Sequence, residues 1–116
     1  MKPEARSNKL LLNDKLIKSF EYLIETIIIF EKFKVIIVLL DSDEYKLNSQ
    51  NIFCVDYHGK ERWQIPDVPL VLPPSGVSPY TQIRKEGETI KAFNWDGTII
   101  TLNPESGVIL YKDWTK

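Results

Sequence analysis

The sequence predicts an all-β fold, and two observations carry this prediction. Residues Asn51 to Ile65 and Gly97 to Trp114 each read as a strand, a turn that closes on glycine and a second strand. The other segments are short, rich in β-branched and aromatic residues, and separated by turn residues, as is typical of antiparallel strands. Because an internal repeat constrains the whole architecture, we predict two four-stranded antiparallel meanders. The sequence leaves open whether an extra N-terminal strand precedes them.

The first meander follows a stretch whose structure the pattern leaves open. Residues 1–14 are polar and lack periodicity, which predicts a flexible N-terminal tail. Residues 15–24 fit both a helical stripe and an alternating strand, and the strand is favoured because the next segments are extended. The four strands of the first meander are predicted at Glu25 to Phe30, Lys34 to Leu40, Asn51 to Val55 and Glu61 to Ile65.

A proline-rich connector precedes the second meander. Pro66 to Pro79 holds five of the seven prolines, which excludes regular structure over most of its length. The strands after it are predicted at Tyr80 to Lys85, Thr89 to Asn94, Thr98 to Leu102 and Val108 to Trp114. The chain is therefore predicted to form a single domain over residues 15–116, with repeats at about 26–65 and 80–114 joined by the connector 66–79.

Composition and charge indicate a protein that is neither nucleic-acid-binding nor membrane-associated. The net charge is -1 and the pI is about 5.8, so phosphate backbones and anionic lipids are not attracted in general. The single cysteine, Cys54, lies on an apolar strand and is expected to be a buried thiol in a reducing compartment. The polar N-terminus lacks the apolar core of a secretory signal. We therefore expect a cytoplasmic protein.

Motifs for catalysis or cofactor binding are not evident in the sequence. His58 is the only histidine and falls in a turn, so a zinc site is not expected. Asp41, Asp43 and Glu44 lack the spacing of a calcium loop, and neither a glycine-rich phosphate loop nor a nucleophile elbow is present. We expect no catalytic residue, no metal and no cofactor, and therefore a protein that is not an enzyme.

The repeated unit resembles a known family of β-sheet repeats. An Asp or Asn after a strand, a turn ending in glycine and an aromatic residue four positions later resembles the repeat of quinoprotein-type (PQQ-like) β-propellers. The matching residues are Asp56, Gly59, Lys60 and Trp63, and less closely Asn103, Pro104, Glu105, Gly107 and Tyr111. Closed propellers have typically 4 to 8 blades. The resemblance covers two blades, which implies a half-β-propeller-like unit without the central channel that holds the quinone.

By its general type, the chain also resembles the immunity proteins of contact-dependent and polymorphic bacterial toxin systems. This resemblance implies non-enzymatic binding of a cognate toxin, most concretely a basic nuclease, through an acidic and aromatic surface. The candidate partner-binding residues are Asp41, Asp43, Glu44, Tyr45, Asp67, Tyr80 and Trp95. Trp95 precedes an Asp-Gly turn and is expected to be partly exposed, whereas Trp63, Tyr111 and Trp114 are expected to pack inside. Two alternatives stay open, a self-associating β-repeat domain and a small enzyme without a recognisable motif.

Overall fold

The computed structural model of the chain describes residues 2–41, 50–66 and 78–114, and strands are the only regular secondary structure in these ranges. The all-β prediction is therefore confirmed. The eleven strands are β1 (Pro3–Arg6), β2 (Lys9–Leu12), β3 (Lys15–Ser19), β4 (Ile24–Phe30), β5 (Val35–Leu40), β6 (Ile52–Asp56), β7 (Glu61–Gln64), β8 (Tyr80–Glu86), β9 (Thr89–Asn94), β10 (Thr98–Leu102) and β11 (Ile109–Trp114).

The strands form three antiparallel sheets, each a simple meander in which consecutive strands are neighbours. We call them the N-sheet (β1–β3), the middle sheet (β4–β7) and the C-sheet (β8–β11). The middle sheet and the C-sheet are the two predicted four-stranded meanders. The first strands of the three sheets are neighbours, because β1 lies beside β4 and β4 lies beside β8.

The middle sheet is covered on both faces, and β5 shows this most clearly. All six of its residues are buried. Alternate side chains of a strand point to opposite faces of its sheet. Val35, Ile37 and Leu39 accordingly belong to the hydrophobic cluster shared with the C-sheet, whereas Ile36, Val38 and Leu40 belong to the cluster shared with the N-sheet. The uninterrupted apolar sequence of β5 is therefore explained by burial on both sides.

The prediction of a flexible tail over residues 1–14 is wrong for the described residues 2–14. These residues supply β1 and β2, and the side chains of Leu10 and Leu12 are buried against the middle sheet. The turns of the N-sheet use positive φ at Ser7, Asn13 and Asp14 instead of glycine. Because the usual glycine signal is missing and the strands have only four residues, the sequence pattern did not reveal them. The strand favoured within residues 15–24 is present as β3.

The glycines of the repeated unit mark places where one sheet touches the next. A Cβ atom added to Gly107 would lie 2.6 Å from the ring of Trp63 on β7. The indole Nε1 of Trp63 also donates a hydrogen bond of 2.9 Å to the carbonyl oxygen of Pro104 in the same turn. A Cβ atom added to Gly59 would lie 1.9 Å from the carbonyl oxygen of Ile17 on β3. In both cases the turn before the last strand of one sheet packs against the last strand of the preceding sheet.

Candidate partner-binding surface

The connections between strands lie at two opposite ends of the sheets, and the two ends differ in character. One end, which we call the turn end, carries short turns such as Glu31–Lys34 and Asp56–Lys60. The other end, which we call the loop end, is where β5, β7 and β9 end and where β6, β8 and β10 begin. The loop end includes Leu23, Asp41, Asn51, Trp95 and the end of β11 at Trp114.

A buried asparagine joins the middle sheet to the C-sheet at the loop end. The Asn51 side chain has no exposed surface. Its Nδ2 donates to the carbonyl oxygens of Leu40 at 3.1 Å and Tyr80 at 2.8 Å, and its Oδ1 accepts from the backbone N–H of Tyr80 at 2.9 Å. Because buried polar groups are costly unless they are paired, these three bonds fix the start of β8 against β5.

The turn after β9 holds an exposed tryptophan on a rigid support. The backbone N–H of Trp95 donates to the carbonyl oxygen of Pro79 at 3.0 Å, and Asn94 Nδ2 donates to the carbonyl oxygen of Ser78 at 2.8 Å. The Asn94 Oδ1 atom accepts from the N–H of Asp96 at 3.0 Å. Asn94 and Asp96 are buried, yet Trp95 between them is 76% exposed. The backbone is therefore held in place while the indole ring faces solvent.

Two further apolar side chains lie at the loop end. Trp114 is 39% exposed, and its Nε1 donates to the carbonyl oxygen of Asp96 at 3.0 Å, which ties the end of β11 to the Trp95 turn. Leu23 is also 39% exposed, and its carbonyl oxygen accepts from the backbone N–H of Asp41 at 2.7 Å. The candidate surface thus combines two indoles, a leucine and the half-buried Asp41.

The structure places the predicted binding residues in different environments. Asp41 and Trp95 both lie at the loop end, and Trp95 is exposed as expected, although its contact with a partner stays a prediction. The prediction that Tyr80 contacts a partner is wrong, because its side chain is fully buried in the core between the middle sheet and the C-sheet. The remaining candidates, Asp43, Glu44, Tyr45 and Asp67, lie outside the described residues.

Two of the aromatic residues expected to pack inside are on the surface. Trp63 is half-buried and packs against the main core, as predicted. Tyr111 is 63% exposed, so the prediction that it packs inside is wrong. Trp114 was also predicted to pack inside, but 39% of its side chain is exposed. The reason is that β11 is the last strand of the C-sheet, and the described part of the chain supplies no following sheet to cover it.

The turn end contains a shallow depression with charged side chains, but its carboxylate is already engaged. The depression has a volume of about 260 Å³ and includes Asp56, His58 and Arg62. Asp56 Oδ1 accepts from the backbone N–H groups of His58 at 2.9 Å and Lys60 at 3.0 Å. Burial raises the pKa of Asp56, but these two hydrogen bonds and the nearby charges outweigh burial and hold the pKa below its ordinary value. The Asp56 carboxylate therefore acts as a turn-stabilising group.

Cys54 is a buried thiol, and it does not belong to a metal-binding cluster in the described ranges. Cys54 is buried, and its Sγ lies 3.6 Å from the carbonyl oxygen of Pro104. Burial raises the pKa of the Cys54 thiol to about 12, so the thiol is neutral at physiological pH and is a poor nucleophile. Within residues 2–41, 50–66 and 78–114, no three His, Cys, Asp or Glu side chains come together as metal ligands would.

Comparison with known proteins identifies the family. The family model described as "Domain of unknown function (DUF7957)" matches residues 1–114, so the chain belongs to this family. The search of curated proteins produced no match. The described residues also contain no helix with the length and apolar character needed to cross a membrane.

Proposed function

We propose that this member of the DUF7957 family is a non-enzymatic protein-binding module whose partner docks on the loop end. The observation that carries the proposal is the exposure of Trp95 on a turn held by backbone and side-chain hydrogen bonds. Tryptophan is enriched among the residues that dominate binding energy at protein interfaces. An indole ring on an ordered turn loses little conformational entropy when it is covered, so its burial contributes efficiently to affinity.

The neighbouring groups support a partner of protein size. Trp114 and Leu23 add apolar area on the same end of the molecule, and Asp41 adds a carboxylate beside Leu23. Aromatic anchors surrounded by polar groups are the usual composition of an interface core and its rim.

The most specific form of the proposal is an immunity protein that covers the active site of a basic toxin, most concretely a nuclease. The acidic residues Asp41, Asp43 and Glu44 follow β5 directly in the sequence. Carboxylates of this kind attract the Arg and Lys side chains of a phosphate-binding cleft, which speeds encounter and selects the partner. Only Asp41 of these three belongs to the described residues, and it lies at the loop end.

Replacing Trp95 with serine is expected to weaken partner binding by about thirtyfold, as the loss of roughly 2 kcal/mol from a hot-spot residue implies. The partner is first recovered with tagged protein from its native cells and identified by mass spectrometry, and affinities are then measured by calorimetry. Leu16→Ser is the matched control, because Leu16 is 50% exposed on the N-sheet. Equal affinities for the Trp95 and Leu16 variants would place the partner elsewhere. Recovery of no partner would instead overturn the protein-binding proposal.

Reversing the acidic segment is expected to slow association with a basic toxin. The double variant Asp41→Lys with Asp43→Lys should reduce the association rate at low salt by at least tenfold, and added salt should shrink the difference. Lys60→Ala is the control, because Lys60 is an exposed charged residue at the turn end. If both variants have the same association rate, the acidic segment has no special role and the immunity proposal loses its electrostatic basis.

A further inference from the structure

Within the described ranges, the contact that repeats between sheets is not found at β11. The Gly59 turn packs against β3, the last strand of the N-sheet, and the Gly107 turn packs against β7, the last strand of the middle sheet. β11 is the last strand of the C-sheet, and no turn within the described ranges lies against it. Four apolar side chains on β11 or directly before it are exposed, with relative exposures of 56% for Val108, 54% for Leu110, 63% for Tyr111 and 39% for Trp114.

β11 also has an unpaired edge. In the described part of the chain, β11 is hydrogen-bonded to β10 alone and forms one end of the C-sheet. Edge strands are usually protected by charged side chains. The edge strand β7 of the middle sheet follows this rule, because its exposed residues are Glu61 and Arg62. β11 also carries two charged residues, Lys112 and Asp113, but its apolar residues Leu110, Tyr111 and Trp114 are exposed as well and leave apolar area that is suited to pairing.

The outer face of the C-sheet is less suited to docking than this edge. Arg84, Lys91 and Thr101 lie opposite one another in the strand register, on the face that points away from the middle sheet. Glu86 Oε2 lies 3.1 Å from Arg84 Nη2, and Glu86 Oε1 lies 3.4 Å from Lys91 Nζ. Stacking a fourth sheet on this face would desolvate these ion pairs at considerable cost. A partner therefore meets the C-sheet more favourably along β11.

We propose that β11 pairs in antiparallel fashion with β11 of a second copy of this chain, about a twofold axis that passes beside Tyr111. Residues directly opposite each other in an antiparallel pair have their side chains on the same face of the sheet. A twofold axis between two identical strands therefore sets one residue opposite the same residue of the other copy. An axis at Lys112 or Asp113 would set like charges opposite each other, which is destabilising. An axis at Tyr111 pairs the two tyrosines and sets each Lys112 beside the bulged residue Leu110 of the other copy, and not opposite a like charge.

The size of the edge determines how stable this dimer is. A strand of six residues is about 20 Å long. A standard stable interface buries about 800 Å² on each partner, which is more than one strand edge and a few apolar side chains provide. The dimer is therefore expected to form reversibly, with a dissociation constant in the micromolar range or weaker. The loop end stays open in such a dimer except near Trp114.

Sedimentation of the purified full chain over a wide concentration range tests this proposal. The wild-type protein should show a monomer–dimer equilibrium, and Tyr111→Asp or Tyr111→Lys alone should weaken dimerisation by at least tenfold. An equimolar mixture of the two variants should restore the dimer, because aspartate then faces lysine across the axis. Leu16→Asp is the control for an exposed charge on the N-sheet and should dimerise as the wild type does.

Any one of four results would overturn the proposal. A wild-type chain that stays monomeric at the highest concentration would show that the edge does not pair with itself. Dimers that survive in Tyr111→Asp, or a mixture that stays monomeric, would exclude the axis at Tyr111. Amide hydrogen exchange of the wild type provides a measurement without substitutions, since residues Ile109–Trp114 should become more protected as concentration rises. Unchanged exchange in β11 alongside an observed dimer would also exclude the proposed pairing.

Discussion

Replacing Gly59 with alanine is expected to lower the free energy of unfolding by roughly 3 kcal/mol or more, from backbone strain together with overpacking. Gly59 has a φ of +83°, which side chains with a Cβ atom rarely adopt. The added Cβ atom would also lie 1.9 Å from the carbonyl oxygen of Ile17. Because that oxygen belongs to the backbone of β3, the contact is relieved only by moving the N-sheet away from the middle sheet.

The matched control for this prediction is Gly87→Ala. Gly87 also has a positive φ, of +60°, but a Cβ atom there would have no neighbour within 4 Å. Its substitution should therefore cost about 1 kcal/mol, from backbone strain alone. Urea denaturation of both variants provides the comparison. Equal losses of stability would mean that the approach of Gly59 to β3 contributes nothing to the packing of the two sheets.

Replacing Asn51 with leucine is expected to lower the free energy of unfolding by roughly 4 kcal/mol, because several buried backbone groups would each lose a hydrogen bond. Leucine has nearly the same shape, so the volume of the site is preserved. The N–H and carbonyl groups of Tyr80 and the carbonyl group of Leu40 would each lose a hydrogen bond. The start of β8 would be held less firmly, and the Trp95 turn, which bonds to Pro79, would be loosened as well.

Asn8→Leu is the control for the asparagine prediction. The Asn8 side chain makes one hydrogen bond, from Nδ2 to the carbonyl oxygen of Phe20 at 2.7 Å, and it is only half-buried. Its loss should cost about 1 kcal/mol. Thermal and urea unfolding of the two variants should therefore differ clearly. If Asn51→Leu is no more destabilising than Asn8→Leu, the three bonds of Asn51 do not hold the sheets together.

Local sequence patterns were sufficient to predict the strands of the two large sheets. β-Branched runs separated by glycine and asparagine turns indicated hairpins because strand propensity and turn geometry depend on a few adjacent residues. The predicted strands at Thr89 to Asn94 and Thr98 to Leu102 coincide with β9 and β10. Strands β1 and β2 of the N-sheet were missed for the same reason, since the turns after them use Ser7 and Asn13 in place of glycine.

The candidate surface was predictable in part. Trp95 was identified because the following Asp-Gly pair indicates a tight turn at the surface, and it is exposed. Tyr80 was misplaced because a tyrosine next to a proline-rich connector carries the same local signal whether its ring faces solvent or the core. Trp114 was missed because its exposure depends on what lies beyond the C-sheet, which adjacent residues do not encode.

The amino-acid sequence alone therefore determined the fold class, the meander order and the positions of the two glycine turns. The tertiary structure decided which faces are covered. β5 is buried on both sides because the N-sheet and the C-sheet flank it, and Trp63 is packed beneath Gly107 because a following sheet exists. Tyr111 stands at the equivalent position of the last sheet and is exposed. The physical reason is that burial depends on neighbours distant in sequence, whereas strand and turn formation depend on residues close to one another.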